Sequence, residues 1–344
     1  MFGFYVIIAA MLLAVFCYVL VPDNSPDSNA MSLQISLLPP GSSVDFLKTP
    51  RPENEQPTFL SRVFSGKPLR HNLIPVSSWR RVSDTIYYEE YVGDATVKGV
   101  ENKLVLKGGD ARLSEKDVVV RRTFWLGTDR FGRDLLSRLI VATRISLSVG
   151  LIAVVISLVI GISLGALAGY FRGTTDRIIV WFINVIWSIP TLLLVVAITM
   201  ALGKGFIQVF IAVGLTMWVE VARLVRGQFF SLRELQFVEA GKALGYKNGR
   251  IMMKHILPNI MGPVIVIAAS NFASAILLEA GLSFLGMGAQ PPTPSWGMMI
   301  KENYSYIVVD AAWLALFPGG AIALMVLSFT LLGNGLRDAF DTKV

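Results

Sequence analysis

An amide and a carboxylate stand inside a long apolar stretch, and they are the first places where this chain could do chemistry. Asn271 and Glu279 lie between Ile260 and Met287. Exposing a carboxylate to lipid costs roughly 2.5–3.5 kcal/mol on insertion scales, so Glu279 is expected to face a bundle interior or water. There it could line a path for a polar solute, or hydrogen bonds could hold it in a structural role. We name Asn271 and Glu279 as candidates for a translocation path, and the structural interpretation is the commoner one.

Patterns typical of catalysis and metal binding are missing from the sequence. It contains no G-x-x-x-x-G-K-[ST] loop, so we do not expect the chain to hydrolyse ATP itself. His71 and His255 are its two histidines and Cys17 is its one cysteine, which argues against a His/Cys metal site and against a Ser-His-Asp or Cys-His arrangement. We therefore expect no enzyme, no bound cofactor and no metal, and any energy must come from a partner.

The composition is that of a membrane protein. Of 344 residues, 53% are hydrophobic and only 16% are charged, and the mean hydropathy is +0.59. The net charge of +7 could indicate nucleic-acid binding, but the basic residues flank apolar stretches. That placement indicates membrane topology, with no nucleic-acid partner.

Six apolar stretches are predicted to be membrane spans. The first covers residues 2–21, and we expect it to be retained because no Lys or Arg precedes it and no small-residue cleavage site follows it. The remaining spans are 145–171, 178–202, 206–221, 260–287 and 307–332. In the second span, Gly161, Gly165 and Gly169 predict a smooth face suited to close helix packing. In the third span, Pro190 predicts a kink.

Residues 22–138 have a soluble character, with nearly equal numbers of acidic and basic side chains. Prolines in the first third, from Pro22 to Pro57, predict an extended linker. The β-prone runs Thr85–Tyr88, Lys103–Leu106 and Val118–Val120, separated by glycines, predict a small β-rich lobe. The predicted organisation is thus a first membrane helix (1–21), a linker and lobe (22–138) and a five-helix core (139–344) containing an elbow at 234–259.

Basic residues in the short loops indicate the orientation. If the elbow faces the cytoplasm, that side carries eleven basic residues and the opposite short loops carry only Lys204 and Lys301. This asymmetry predicts cytoplasmic termini and an extracytoplasmic 22–138 segment. The eleven are Arg172, Arg177, Arg223, Arg226, Arg233, Lys242, Lys247, Arg250, Lys254, Arg337 and Lys343.

The elbow is the longest polar interruption of the apolar core. Its sequence predicts two short helices that meet at Gly245, where a glycine just past Leu244 suits a left-handed helix stop. We expect Asn248 to cap the second helix, which should end before Pro258. The small side chains of the first helix would present a surface suited to close approach. An ordinary loop helix is the alternative interpretation.

At these residues the sequence resembles the EAA motif of ABC-importer permeases. Gly241 stands where alanine is usual, and His255 replaces a hydrophobic residue, as is familiar from the dipeptide, oligopeptide and nickel permease branch. The matching residues are Glu239, Ala240, Gly241, Gly245, Leu257 and Pro258.

The resemblance implies that the elbow is the coupling helix that docks into a groove of an ATPase subunit. Glu239 and Gly245 would then fix the shape of the elbow. Ala240, Gly241 and Tyr246 would touch the ATPase.

Three further segments are similar to the same branch. One comprises Gly127, Thr128, Asp129, Gly132, Arg133 and Asp134, just before the second span. From its residues alone it would be a tight charged turn or a polar collar at the outer membrane surface. The others are the glycine- and proline-rich stretch 281–297, which in the family faces the substrate-binding protein, and the closing stretch 333–341.

The expected protein is an all-α polytopic membrane protein with six transmembrane helices and an extracytoplasmic β-rich lobe between helices 1 and 2. The resemblance implies an inner-membrane permease subunit of an ABC importer for di- or oligopeptides. Its partners would be a second permease chain, two ATPase subunits that bind ATP and Mg, and an extracytoplasmic binding protein. The alternatives are a nickel importer, an exporter, and a membrane-anchored sensor or scaffold that acts through the 22–138 lobe.

Overall fold

The computed structural model describes residues 1–50, 58–68, 71–93, 99–105, 118–203 and 205–340. Several residues used in the sequence predictions lie outside this range, namely Pro52, Pro57, Leu106, Gly108, Gly109, Lys204, Asp341 and Lys343.

Long apolar helices dominate the described part of the chain. Four of them are long and apolar enough to cross a membrane. Two shorter helices are Phe59–Ser65 (α3) and Trp296–Asn303 (α11). Of the four long helices, we label Leu135–Phe171 as α4, Phe206–Leu232 as α7 and Trp313–Phe340 as α12. The fourth runs from Asn248 to Phe284, and its 37 residues correspond to about 55 Å of helix at 1.5 Å per residue.

A bent helix pair adds a fifth candidate span. Helices α5 (Gly173–Trp187) and α6 (Thr191–Leu202) meet at an angle of 91°. Pro190 lies in the break between them, which confirms the predicted kink.

The N-terminal helix is shorter than predicted. Helix α1 covers Phe2–Val15, and after Phe16 the short helix α2 covers Cys17–Leu20. Fourteen residues extend only about 21 Å, so α1 alone does not reach across a bilayer. Among the described residues, four or five candidate spans are present, and the predicted count of six is not confirmed.

Helices α4, α7 and α12 extend beyond the predicted limits of their spans, because charged residues do not end them. Helix α4 begins ten residues before the predicted start at 145, and α7 continues eleven residues past 221. Polar partners accommodate the charges on these extensions. On α7, for example, Arg226 Nε lies 2.5 Å from Asp176 Oδ1 on α5.

The predicted glycine face is confirmed by the packing of α4 on α7. A Cβ on Gly161 would lie 2.5 Å from Val221 Cβ, and one on Gly165 would lie 2.6 Å from the Ala222 carbonyl oxygen. Real Cβ atoms do not come so close, so the two helices can approach this far only because these side chains are absent.

Within the described ranges, five strands form one antiparallel sheet in the order β4-β3-β2-β1-β5. Strand β1 falls within the stretch predicted as an extended linker, so that part of the prediction was wrong. Val44, Phe46 and Leu47 of this strand are buried, and their burial holds it in the sheet despite the surrounding prolines. The strands are β1 Ser42–Pro50, β2 His71–Val82, β3 Thr85–Glu90, β4 Glu101–Val105 and β5 Val119–Phe124.

Apolar contacts tie the sheet to the segment that precedes it. Val44 and Phe46 pack with Phe124, and Ile35 and Leu38 complete this cluster from the preceding segment. The sheet is therefore anchored next to the start of α4 rather than suspended on a free linker.

Candidate functional site

The elbow begins with a short helix that ends as predicted. Helix α8 covers Gln236–Ala243, and Gly245 follows it with a φ of 74°. The Gly245 amide donates to the Lys242 carbonyl oxygen at 2.9 Å, and the Tyr246 amide donates to the Gly241 carbonyl oxygen at 3.0 Å. This pair of bonds is a Schellman motif, which confirms the left-handed stop after Leu244.

The second half of the elbow differs from the prediction. A helical turn at Asn248–Arg250 (α9) passes through a π-helical segment and a 3-10 turn into α10 (Met261–Phe284) without stopping before Pro258. The prediction was wrong because Pro258 lies in the first turn of the 3-10 segment, where a missing amide hydrogen is tolerated. Asn248 does not cap the helix, and its Oδ1 accepts from the Tyr170 hydroxyl at 2.9 Å.

Apolar packing clamps the inner side of the elbow to α7. Val238 on α8 and Ile251 after the turn are fully buried. They pack with Val221, Val225 and Phe229 of α7. The elbow is therefore fixed to the membrane helices and is not a free loop.

The predicted coupling residues differ in their exposure to solvent. Glu239, Ala240, Gly245 and Pro258 are exposed, Leu257 and Tyr246 are half-buried, and Gly241 is buried. The ring of Tyr246 stacks on the His255 ring with centroids 5.6 Å apart. The Arg250 guanidinium lies 4.2 Å from the centroid of the same Tyr246 ring.

Sequence reasoning missed the large apolar side chains that the elbow exposes. Leu244 is 71% exposed, and Leu235, Phe237 and Met253 are also exposed. We call these four residues the elbow face. Exposed apolar side chains on a polar loop are the signal that could have identified it, because such residues mark interaction surfaces.

A charged segment before α4 is buried. Arg133 is 2% exposed, and its guanidinium donates to Asp129 Oδ2 at 2.6 Å and to Glu302 Oε2 at 2.8 Å. Arg138 lies farther from the same two carboxylates, at 3.8 Å and 3.4 Å. Asn29 accepts another bond from Arg133 at 3.2 Å. We call Asn29, Asp129, Arg133, Arg138 and Glu302 the ion network.

Backbone contacts join this segment to the chain before the sheet. The Thr128 hydroxyl donates to the Ile35 carbonyl oxygen at 2.5 Å and accepts from the Leu38 amide at 2.8 Å. Gly132 has a φ of 69°, and a Cβ there would lie 1.8 Å from the Ser32 carbonyl oxygen. The predicted charged turn is therefore present, but its polar groups face inward.

Asp134 connects the segment to α4. Its carboxylate accepts from the Ser137 amide at 2.9 Å and from the Ser137 hydroxyl, so it caps the helix. Burial raises the pKa of the Asp134 carboxyl in spite of these two bonds. The Leu135 amide, at the start of α4, donates to the Gly127 carbonyl oxygen at 3.2 Å, and this bond closes the turn formed by residues 127–134.

The two intramembrane candidates are buried side chains. Glu279 accepts from Ser283 Oγ at 2.7 Å and from Ser146 Oγ at 3.3 Å. Asn271 is also buried, and its Nδ2 has no partner among the described residues. Their role in a translocation path stays a prediction.

A separate groove of about 330 Å³ lies where the break between α5 and α6 faces α7 and α10. It contains a carboxylate, Glu220, that sequence reasoning overlooked. The signal was available, because Glu220 is an acidic residue within an apolar stretch. Its principal lining residues are Trp187, Thr191, Thr216, Glu220, Ser274 and Leu277.

The sequence of this chain is similar to those of known transport proteins. The family model described as "Binding-protein-dependent transport system inner membrane component" matches residues 161–344. The dipeptide transport system permease DppC of Alkalihalophilus pseudofirmus is 44% identical over 220 residues, covering 64% of this chain and 72% of the relative. The glutathione permease GsiD of Pectobacterium atrosepticum is 43% identical, with coverages of 64% and 73%. The oligopeptide permease OppC of Bacillus subtilis is 39% identical, with coverages of 64% and 72%.

Among solved structures, the inward-facing MetNI methionine ABC transporter matches 59% of this chain and 95% of its own chain. The identity is 18% and the TM-score is 0.48.

Proposed function

Because this chain belongs to the family of binding-protein-dependent transport system inner membrane components, the permeases of ABC transporters, we propose that it forms half of the translocation path of an importer for di- or oligopeptides. It is an integral inner-membrane protein that associates with other transporter subunits. The peptide substrate is supported by relatives named as dipeptide, oligopeptide and glutathione permeases at 39–44% identity.

The elbow carries the coupling part of the proposal. Its inner residues are clamped on α7, whereas the elbow face projects four apolar side chains away from the protein. Such an arrangement suits a docking segment that must move together with the membrane helices. The elbow face would enter the ATPase groove together with Ala240 and Tyr246, and Glu239 and Gly245 would maintain the shape of the elbow. Gly241 is buried, so it would support the turn instead of touching the ATPase as the resemblance implied.

In the proposed membrane arrangement, α1 and α2 together form a sixth span. Helix α1 already packs closely on α12, since a Cβ on Gly3 would lie 2.4 Å from the Ser328 carbonyl oxygen. The sheet then lies on the extracytoplasmic side between the first and second spans, and both termini are cytoplasmic. The positive charge of the elbow and of the short loop around Arg172 supports this orientation.

The proposed complex contains a second permease chain, two ATPase subunits that bind ATP and Mg, and an extracytoplasmic binding protein that delivers the peptide. Closure of the ATPases would displace the elbow, and the helices attached to it would follow as largely rigid bodies. Alternation of these helices would open the path to one side of the membrane at a time.

The first test asks whether an ATPase co-purifies with this chain after mild detergent extraction. We expect Leu244→Glu to abolish co-purification, because a charge would replace an apolar side chain that is 71% exposed and makes few contacts within the chain. Leu33→Glu is the matched control, since Leu33 is similarly exposed, at 68%, but lies beside strand β2 and far along the chain from the elbow. The proposal fails if both variants retain the ATPase or if both lose it.

A second variant separates coupling from assembly. A Cβ at Gly245 meets nothing within 4 Å, so Gly245→Asp has room, but the φ of 74° strains any L residue there. We expect ATP-dependent peptide uptake into proteoliposomes to fall while the ATPase still co-purifies. Unchanged uptake, or loss of assembly alone, would count against a coupling role.

A further inference from the structure

Glu220 is the one charged side chain lining the groove among the residues that the structure describes. It lies midway along α7 and is exposed. Within the described residues it forms no hydrogen bond or ion pair. A carboxylate at this depth, left without a partner in the isolated chain, must meet water, another subunit or a ligand, because facing lipid is unfavourable.

The nearest cations along α7 are already engaged elsewhere. Arg223 donates to Asn184 Oδ1 at 3.3 Å, and its guanidinium lies 3.6 Å from the ring centroid of Trp187. Arg226 forms a two-point pair with Asp176 at 2.5 Å and 2.7 Å. Neither cation therefore neutralises Glu220 in this structure, and the carboxylate is left available to a positive group that enters the groove.

The groove has the build of a site for a small polar group. Its walls meet at the break between α5 and α6, and broken helices near the bilayer midplane are where transporters commonly hold substrates. Thr191, Thr216 and Ser274 add hydroxyl groups to a lining that is otherwise apolar. A volume of about 330 Å³ is at the small end of ligand pockets, enough for one end of a peptide.

We propose that Glu220 forms an ammonium subsite of the translocation path, which takes the α-amino group of a peptide as it passes. The inference rests on the proposed import of peptides. A charge-assisted hydrogen bond between the ammonium and the carboxylate would fix one end of the peptide, and the hydroxyl groups would contact its first peptide unit. The apolar lining around them leaves the choice of side chain broad.

The test measures binding directly, apart from transport. The one cysteine of the chain, Cys17, is fully buried, so Ser274→Cys places a single accessible thiol of this chain in the groove. The assembled complex, with cysteine-free partner subunits and no binding protein, is labelled with a methanethiosulfonate reagent in the presence of tri-alanine or N-acetyl-tri-alanine. We expect tri-alanine to slow labelling and the acetylated peptide, which lacks the ammonium, to have no such effect.

Adding Glu220→Gln should raise the tri-alanine concentration needed for half-protection by about tenfold or more, the loss expected for a charged hydrogen bond. Glu101→Gln is the control, because it removes an exposed carboxylate of the sheet that pairs with Arg80 at 3.3 Å, away from both the groove and the elbow. Equal protection by both peptides, no protection by either, or full protection in the Glu220→Gln variant would overturn the inference.

Peptide uptake by the unmodified transporter tests the proposed function separately. If it imports no di- or tripeptide yet tri-alanine still protects Ser274→Cys through Glu220, the proposed function fails and the ammonium subsite stands. If peptides are imported and protection is absent, only the subsite is refuted.

Discussion

Removing Arg133 is the most direct test of the ion network. In Arg133→Met the side chain keeps much of its length and loses its charge. Asp129 and Glu302 then lose their closest cationic partner, at 2.6 Å and 2.8 Å, while their own side chains stay 1% and 7% exposed. The change therefore leaves two buried carboxylates undercompensated.

The cost follows from that burial. Breaking a buried ion pair by removing one partner destabilises a protein by about 3–5 kcal/mol. Asp129 keeps hydrogen bonds from the amides of Phe131 and Arg133, at 2.9 Å and 3.0 Å, and Arg138 stays nearby. These contacts place the expected loss of stability at the lower end of that range, about 3 kcal/mol. This corresponds to roughly two orders of magnitude in the equilibrium constant for local opening of the segment.

Amide hydrogen exchange can measure this loss locally. Three backbone hydrogen bonds join the segments on either side of the network. The amides of Ser32, Leu37 and Thr128 donate to the carbonyl oxygens of Phe131, Asp129 and Leu38, respectively, at 3.0–3.1 Å. Their protection factors should fall by about a hundredfold in Arg133→Met, whereas amides in the core of α7 should be unaffected. The control is Arg80→Met, which breaks a pair whose side chains are 72% and 67% exposed and should cost at most about 0.5 kcal/mol.

Equal exchange in Arg133→Met and Arg80→Met would refute the view that burial makes the network important. So would a loss of protection in Arg133→Met that spreads uniformly through the protein. A double variant with Glu302→Gln adds a check, because removing both partners should cost less than the sum of the single changes.

Three smaller perturbations test other features. Gly241→Ala should stabilise the elbow by about 0.4–1 kcal/mol in thermal unfolding, because its Cβ would lie 3.5 Å from the nearest atom, in ordinary contact, and alanine restricts the unfolded chain. Gly165→Ala should lower the free energy of unfolding by about 1–3 kcal/mol, since its Cβ would lie 2.6 Å from the Ala222 carbonyl oxygen. Gly227→Ala is the control and should not destabilise the protein, because a Cβ there meets nothing within 4 Å. Burial raises the pKa of Asp134 above its ordinary value, so ionisation of this carboxyl opposes folding. The stability of the wild type should therefore fall relative to that of Asp134→Asn as the pH rises above about 4. A stability difference that stays constant across pH would contradict this.

The elbow separates what the sequence could and could not predict. The stop at Gly245 was predictable because it depends on a local rule, a glycine adopting a positive φ after a helix. The passage through Pro258 was not, because the π-helical segment before it depends on the packing of Ile251 and Ile256 against α7. Local rules also placed the kink at Pro190 and the smooth face of α4.

Long-range partners account for the failures at the charged sites. The segment 127–134 was recognisable as a turn, but its burial depends on Glu302, which is 169 residues from Arg133 in the sequence. Strand β1 was missed for a related reason, since its neighbours β2 and β5 follow much later in the chain. Glu220 was overlooked because it lies one residue from the predicted end of its span, at a position where α7 in fact continues for three more turns.

The continuous helix from Asn248 to Phe284 links the elbow to the groove. Met253 of the elbow face and Leu277 of the groove lie on it, about 36 Å apart at 1.5 Å per residue. We infer that this helix moves as a rigid rod when nucleotide binds. The break at Pro190 would then absorb the resulting change in helix orientation, because breaks between helices are where hinges form. Spin labels at Met253 and Leu277 should then keep one distance with and without nucleotide, whereas labels at Met253 and Leu193, across the break, should change theirs. All three positions are exposed at 51–63%, so labels fit without disturbing the core. A nucleotide-dependent distance within the first pair would show that the rod bends, and the groove would then be uncoupled from the elbow.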